Sequence, residues 1–154
     1  MTVLMAEMTR PEYEARVRDS VVIVPVCSTE QHGPHLPLGA DAIQVTAIAL
    51  RVAERLDAIV APTIPYGYRS APRSGGGEIF PGTTSLTGET LTLVARDVLR
   101  ALVRHGARRI VVLGIAIFAA VATPGGDLVS PVILGGVMYL LFELSILLVR
   151  AGGR

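Results

Sequence analysis

Two imidazoles and two carboxylates fall within a short stretch of this chain: Glu30-Gln31-His32-Gly33-Pro34-His35, followed by Asp41. Carboxylate oxygen together with imidazole nitrogen suits zinc or manganese. The stretch directly follows the apolar run Val21-Val22-Ile23-Val24-Pro25-Val26. An acid and a histidine two residues apart, just past the end of a strand, can point into the crevice where α/β folds place their chemistry. Spacing alone also fits a plainer reading, in which Glu30 and His32 hydrogen-bond loop backbone. Asp41, at a helix start, reads on local grounds as an N-cap. His35 reads as a loop-packing histidine. His105 ends a helix, where a cation suits the dipole. Gly75-Gly76-Gly77 lacks the Lys-Ser/Thr that would complete a phosphate loop.

The elements that must position these groups read as an alternation of strands and helices. Thr9-x-x-Glu12 is a capping box with Pro11 in the first turn, opening a helix to about Arg18. Val21 to Val26 reads as a strand buried on both faces. Residues 27–40 form a loop. A helix runs from Asp41 to about Leu56, with Ile43, Ala47, Leu50 and Ala53 at helical spacing. Ala58 to Ala61 is a short second strand. Residues 62–86 form a long loop rich in Gly, Pro and Ser, a length that is usually functional or disordered. Thr87 caps a helix from Gly88 to His105, with Leu91, Val94, Ala95, Val98, Leu102 and His105 on one face, and Gly106 stops it. Arg109 to Leu113 is a third strand. The alternation predicts an α/β fold with a parallel sheet and flanking helices.

The wording around the acid–histidine pair, Cys27 to Asp41, resembles the signature of the creatininase (creatinine amidohydrolase) family. Tyr66-Gly67-Tyr68-Arg69-Ser70 and Ser74-Gly75-Gly76-Gly77 resemble that family's glycine-rich active-site loop. Phe80-Pro81-Gly82-Thr83-Thr84-Ser85-Leu86 and the stretch Arg104 to Leu113 are similar to further family blocks. The resemblance covers about residues 8–113. It implies a hydrolase that opens a small cyclic amide with two divalent metal ions, zinc or manganese. On that resemblance Glu30 and His32 bind different ions, Asp41 bridges them, and Ser74 lies at the substrate. The family's remaining ligands lie in an Asn-Gly-His-x-Glu-type block after the third strand. Here that strand runs into Gly114-Ile115-Ala116-Ile117-Phe118, and no histidine follows His105. Three ligands spread over two ions leave each with about two, whereas catalytic zinc usually has three. The expectation is half a metal site, weak metal dependence and negligible hydrolysis.

Composition changes at the same place. After residue 109 the only charged residues are Asp127, Glu143, Arg150 and Arg154. Such a shift marks a domain boundary or a different solvent, dividing the chain into 1–113 and an apolar helical tail, 114–154. Leu128 to Val149 is uncharged but for Glu143, and as a helix it reaches roughly 33 Å, enough for a bilayer core. Phe118 to Asp127 and Tyr139 to Leu148 resemble the C-terminal end of TatC, the multispanning subunit of the twin-arginine protein translocase, over about residues 116–150. This implies membrane association through residues 128–149, and a junction near Leu113 to Ile115.

The net charge of +1 gives no argument for nucleic acid. All basic residues are arginine, and none forms a phosphate-tracking run. The single cysteine, Cys27, excludes an intramolecular disulfide and a Cys-based zinc site, and ends an apolar strand as a buried thiol. Residues 1–20 lack a secretory signal, so the front part is expected in the cytoplasm, with insertion of the tail into a membrane as an open alternative. Self-association into a homo-oligomer is left open. Three readings therefore stand: a creatininase-type metal-dependent hydrolase with an incomplete site, a membrane-embedded fragment related to TatC, and a nonfunctional hybrid of the two.

Overall fold

A computed structural model describes residues 1–69 and 78–114. These belong to one compact unit, Met1–Ile115; a second unit, Ala116–Arg154, falls outside the described residues. The tail expected to be helical, with the stretch 116–150 read as resembling TatC and the run 128–149 read as a membrane segment, therefore lies outside them, as does Ser74. Among the described residues no helix is long and apolar enough to cross a membrane.

Three parallel strands form the sheet: β1 (Val21–Val26) at its centre, β2 (Ile59–Val60) on one side and β3 (Arg109–Gly114) on the other. The Val-rich β1 run is buried along four of its six residues, as a strand covered on both faces must be. Its side chains alternate. Val22 and Val24 pack with Val17, Ile59 and Leu102, whereas Ile23 packs with Ala49, Ala53 and Val60. The second strand is shorter than the sequence suggests, although Ala58 and Ala61 beside it are also buried. β3 keeps its expected place, but Val111 and Val112 are exposed rather than buried.

α1 (Arg10–Arg16) starts at the expected capping box: the Thr9 N–H and hydroxyl both reach the Glu12 carboxylate at 2.7 Å. A short 3-10 turn, Met5–Glu7, precedes it and had no clear sequence signal. α3 (Gly88–Arg104) is capped by the Thr87 hydroxyl, which accepts the Thr90 N–H. It ends at Gly106, whose φ of +107° suits glycine. Val98, Leu99 and Leu102 turn its apolar face to the core; His105, at the C-cap, is exposed.

α2 (Ala40–Leu56) corrects one expectation. Its buried face is Asp41, Val45, Ala49 and Ala53; of the expected stripe, Ala53 is buried and Leu50 half-buried against the core, but Ile43 and Ala47 are exposed. Both stripes have helical spacing because the helix is apolar on most sides, so periodicity could not choose between them. The small side chains of Ala49 and Ala53 let the helix lie close against the sheet. This choice of face is what brings Asp41 inward.

Candidate metal centre

The site is built from the loop that leaves β1 and the first turn of α2, at the C-terminal edge of the parallel sheet, where such folds place ligands. Glu30 and His32 come from the loop. Asp41 comes from the second residue of α2, whose N-cap is Gly39. The reading of Asp41 as an N-cap is therefore wrong: its side chain lies one step inside the helix, buried and turned toward the loop. At that position its negative charge also sits favourably in the helix dipole.

One donor atom from each of Glu30, His32 and Asp41 can be chosen so that all lie within 4.8 Å of one another. His32 Nε2 is 3.3 Å from Asp41 Oδ1, and both side chains are largely shielded from solvent. His32 Nδ1 lies 2.9 Å from the Glu30 backbone carbonyl. A carbonyl only accepts, so Nδ1 carries the proton and donates it. Nε2 is then the ring atom that faces the Asp41 carboxylate, as an N–H donor when the ring carries a second proton or as a lone pair for a cation when it does not. Two acceptors at this separation need a proton or a cation between them. In a tetrahedral site with bond lengths near 2.1 Å, neighbouring donors stand about 3.4 Å apart, close to the His32–Asp41 separation of 3.3 Å. The Glu30 carbonyl fixes the ring orientation, as the outer hydrogen-bond partner of a metal-ligating imidazole would. The donor set fits a divalent ion of the zinc or manganese type. His35 is exposed and outside this donor group.

Beneath the donors lies Cys27, buried and free, as its place at the end of a strand implied. Burial, and then the nearby Asp41 charge, push its thiol pKa up. Raised in this way, the thiol is poorly suited to act as a nucleophile.

The loop has no ladder of its own and is held by its neighbours. The Cys27 N–H donates to the Ile64 carbonyl at 3.0 Å, and the Thr29 hydroxyl donates to the Pro65 carbonyl at 2.8 Å. Gly67 comes so close to Ser28 that a Cβ there would stand 2.4 Å from its hydroxyl oxygen. The Glu30 N–H donates to the Leu38 carbonyl at 3.1 Å, and the Thr84 N–H to the Thr29 carbonyl at 2.9 Å. Thr29 and Thr84 carry no metal-ligand signal in the sequence; only the block Phe80 to Leu86 hinted that this segment matters. On the α3 side of the sheet an apolar cleft of about 530 Å³ is lined by Ile64, Tyr66, Leu86, Val98 and Leu102 among others. It contains none of the three donors and is separate from the metal centre.

The profile of the creatininase family, described as creatinine amidohydrolase, matches residues 6–115. The chain belongs to the creatininase family. It is 51% identical over 114 residues to creatinine amidohydrolase of Pseudomonas putida, covering 73% of this chain and 44% of that protein. It is 46% identical over 80 residues to the mycofactocin precursor peptide peptidase of Mycolicibacterium smegmatis, covering 48% of this chain and 30% of that protein. A solved variant creatininase complexed with creatine superimposes with a TM-score of 0.70 at 52% identity, over 73% of this chain and 44% of the other. Other solved creatininases include a zinc–zinc form and a manganese form, so relatives of this chain bind either metal. The chain spans less than half the length of these relatives. The matched region ends at residue 115, and the comparisons support no relation of residues 116–150 to TatC.

Proposed function

We propose that this chain carries the Glu30–His32–Asp41 portion of a creatininase-type metal centre and binds a divalent ion there. The observation that carries the reading is the convergence of the three donors, with His32 Nε2 facing Asp41 Oδ1 at 3.3 Å and Nδ1 tied to the Glu30 carbonyl. The family resemblance assigned Glu30 and His32 to different ions, bridged by Asp41. With donor atoms of all three residues within 4.8 Å of one another, a single ion per chain is the stoichiometry favoured here, in place of the weak metal dependence expected from the sequence: three protein donors and an open fourth position. When bound, such an ion lowers the pKa of a coordinated water and polarises an amide carbonyl.

The residues of this chain have distinct tasks in that reading. Glu30 and Asp41 supply charge that holds the cation. His32 supplies a neutral donor whose orientation is set by its own loop. Ser74, in the glycine-rich loop, positions the substrate, a small cyclic amide by analogy with creatinine amidohydrolase. Three protein donors among the described residues do not complete a two-ion centre, and on this reading the chain should hydrolyse such an amide negligibly.

Calorimetric titration of the full chain with zinc and with manganese tests this, alongside a creatinine hydrolysis assay. The expected result is about one ion per chain, lost in His32→Ala, with no hydrolysis above the metal-only control. Two tightly bound ions, or turnover, would show that further ligands are supplied by residues outside this group. No binding at all would remove the metal reading.

A further inference from the structure

We propose that Thr83 is a positioning residue for the metal loop, its hydroxyl accepting the Gln31 N–H between Glu30 and His32. The inference rests on the metal reading above for its purpose, but on the protein's own hydrogen bonds for its geometry. The Gln31 N–H lies 3.2 Å from Thr83 Oγ1. On the other flank of Glu30, the Thr29 carbonyl accepts the Thr84 N–H at 2.9 Å. Consecutive residues Thr83 and Thr84 therefore grip the backbone on either side of Glu30. The Glu30 N–H itself is held by the Leu38 carbonyl at 3.1 Å.

The sequence around Thr83 is shaped to deliver that hydroxyl. Phe80-Pro81-Gly82-Thr83 forms a tight turn, with the Thr83 N–H returning to the Phe80 carbonyl at 3.2 Å. Proline at the second position and glycine at the third, with φ +90° at Gly82, is the type II pattern. A Cβ on Gly82 would stand 2.5 Å from Leu38 Cδ1. The turn therefore rests on Leu38, the residue whose carbonyl holds Glu30. Residues 27–39 contain no helix or ladder strand that could hold Glu30 and His32 by regular pairing. Groups that orient metal ligands from outside the coordination sphere commonly change affinity by about 10- to 100-fold.

The test compares Thr83→Val, which keeps the β-branched shape and loses the acceptor, with Thr83→Ser, which keeps the hydroxyl. Two quantities are read in the full chain: amide hydrogen exchange at Gln31 without metal, and zinc affinity by calorimetry. Thr83→Val should speed Gln31 exchange by at least about tenfold, because the Thr83 acceptor of this N–H is removed, and Thr83→Ser should not. Zinc affinity should fall by about tenfold or more in Thr83→Val and recover to within about threefold in Thr83→Ser. Unchanged Gln31 exchange in Thr83→Val overturns the positioning role, whatever the metal data. Faster exchange with unchanged zinc affinity also overturns it, since the hydrogen bond would then be structural only. If the parent binds no zinc, the metal reading fails separately, and the exchange comparison still decides whether Thr83 holds Gln31. Should Thr83→Val not fold, Thr83→Ala carries the same readouts.

Discussion

Removing the His32 imidazole should abolish most zinc-linked stabilisation while leaving the metal-free chain near parental stability. The Nε2 contact to Asp41 is a 3.3 Å pairing in a largely shielded setting, and its loss costs about 1 kcal/mol. The zinc-bound comparison is larger. With free zinc at one hundred times its dissociation constant, a single site stabilises the parent by about 2.7 kcal/mol. For a unit of this size that raises the melting temperature by roughly 10 °C. His32→Ala leaves only two carboxylates. If affinity falls about 100-fold, the same zinc concentration merely equals the new dissociation constant, and the gain shrinks to about 0.4 kcal/mol, under about 2 °C. Scanning calorimetry of both proteins, in chelator and across a zinc series, reads this directly. An equal zinc shift in parent and variant would refute the assignment of His32, and no shift in the parent at any zinc concentration would refute the site.

Other consequences follow from the packing and the loops. Ile59→Ala should destabilise by about 2–5 kcal/mol in urea unfolding, because Ile59 is fully buried between the sheet and its helices and the truncation leaves a cavity. Gly82→Ala should cost about 1–2 kcal/mol from its left-handed backbone, and should weaken zinc binding by displacing Leu38; a variant with parental stability and affinity would contradict this. Cys27 should alkylate far more slowly in the native chain at pH 8 than in urea, since burial first and Asp41 second hold its thiol above the usual range; equal rates would show an open thiol. Glu12 has its pKa lowered first by the Thr9 hydroxyl and then by the Thr9 backbone N–H. A depressed folded-state pKa gives a contribution present above the unfolded value and lost as pH falls through the folded one. The start of α1 should therefore fray in acid, below Glu12's ordinary value of 4.5, and Thr9→Ala should return the Glu12 titration toward that value by NMR.

Much of the site was legible before any coordinates. Glu30, His32 and Asp41 announce themselves by residue type, and the apolar run Val21–Val26 ahead of them fixes which end of a parallel sheet they occupy. Strand and helix order, the Thr9–Glu12 box, the Thr87 cap and the Gly106 stop are local signals, because each depends on residues within one turn of the chain. Other features depend on what lies opposite. The stripe through Ile43 and Ala47 has the same periodicity as the buried one. Only the close fit of Ala49 and Ala53 against Ile23 and Val60 selects the face that turns Asp41 toward His32. The exposure of Val111 and Val112 likewise reflects which neighbours cover β3 rather than anything in its own composition. The grip of Thr83 and Thr84 on the metal loop joins residues some fifty positions apart, with side chains that look like any others in a polar loop. The sequence by itself determined which groups can bind a metal and the strand end beside which they stand. The tertiary structure decided that three of them converge and what holds them there, because donor distance and backbone restraint come from the packing of distant segments.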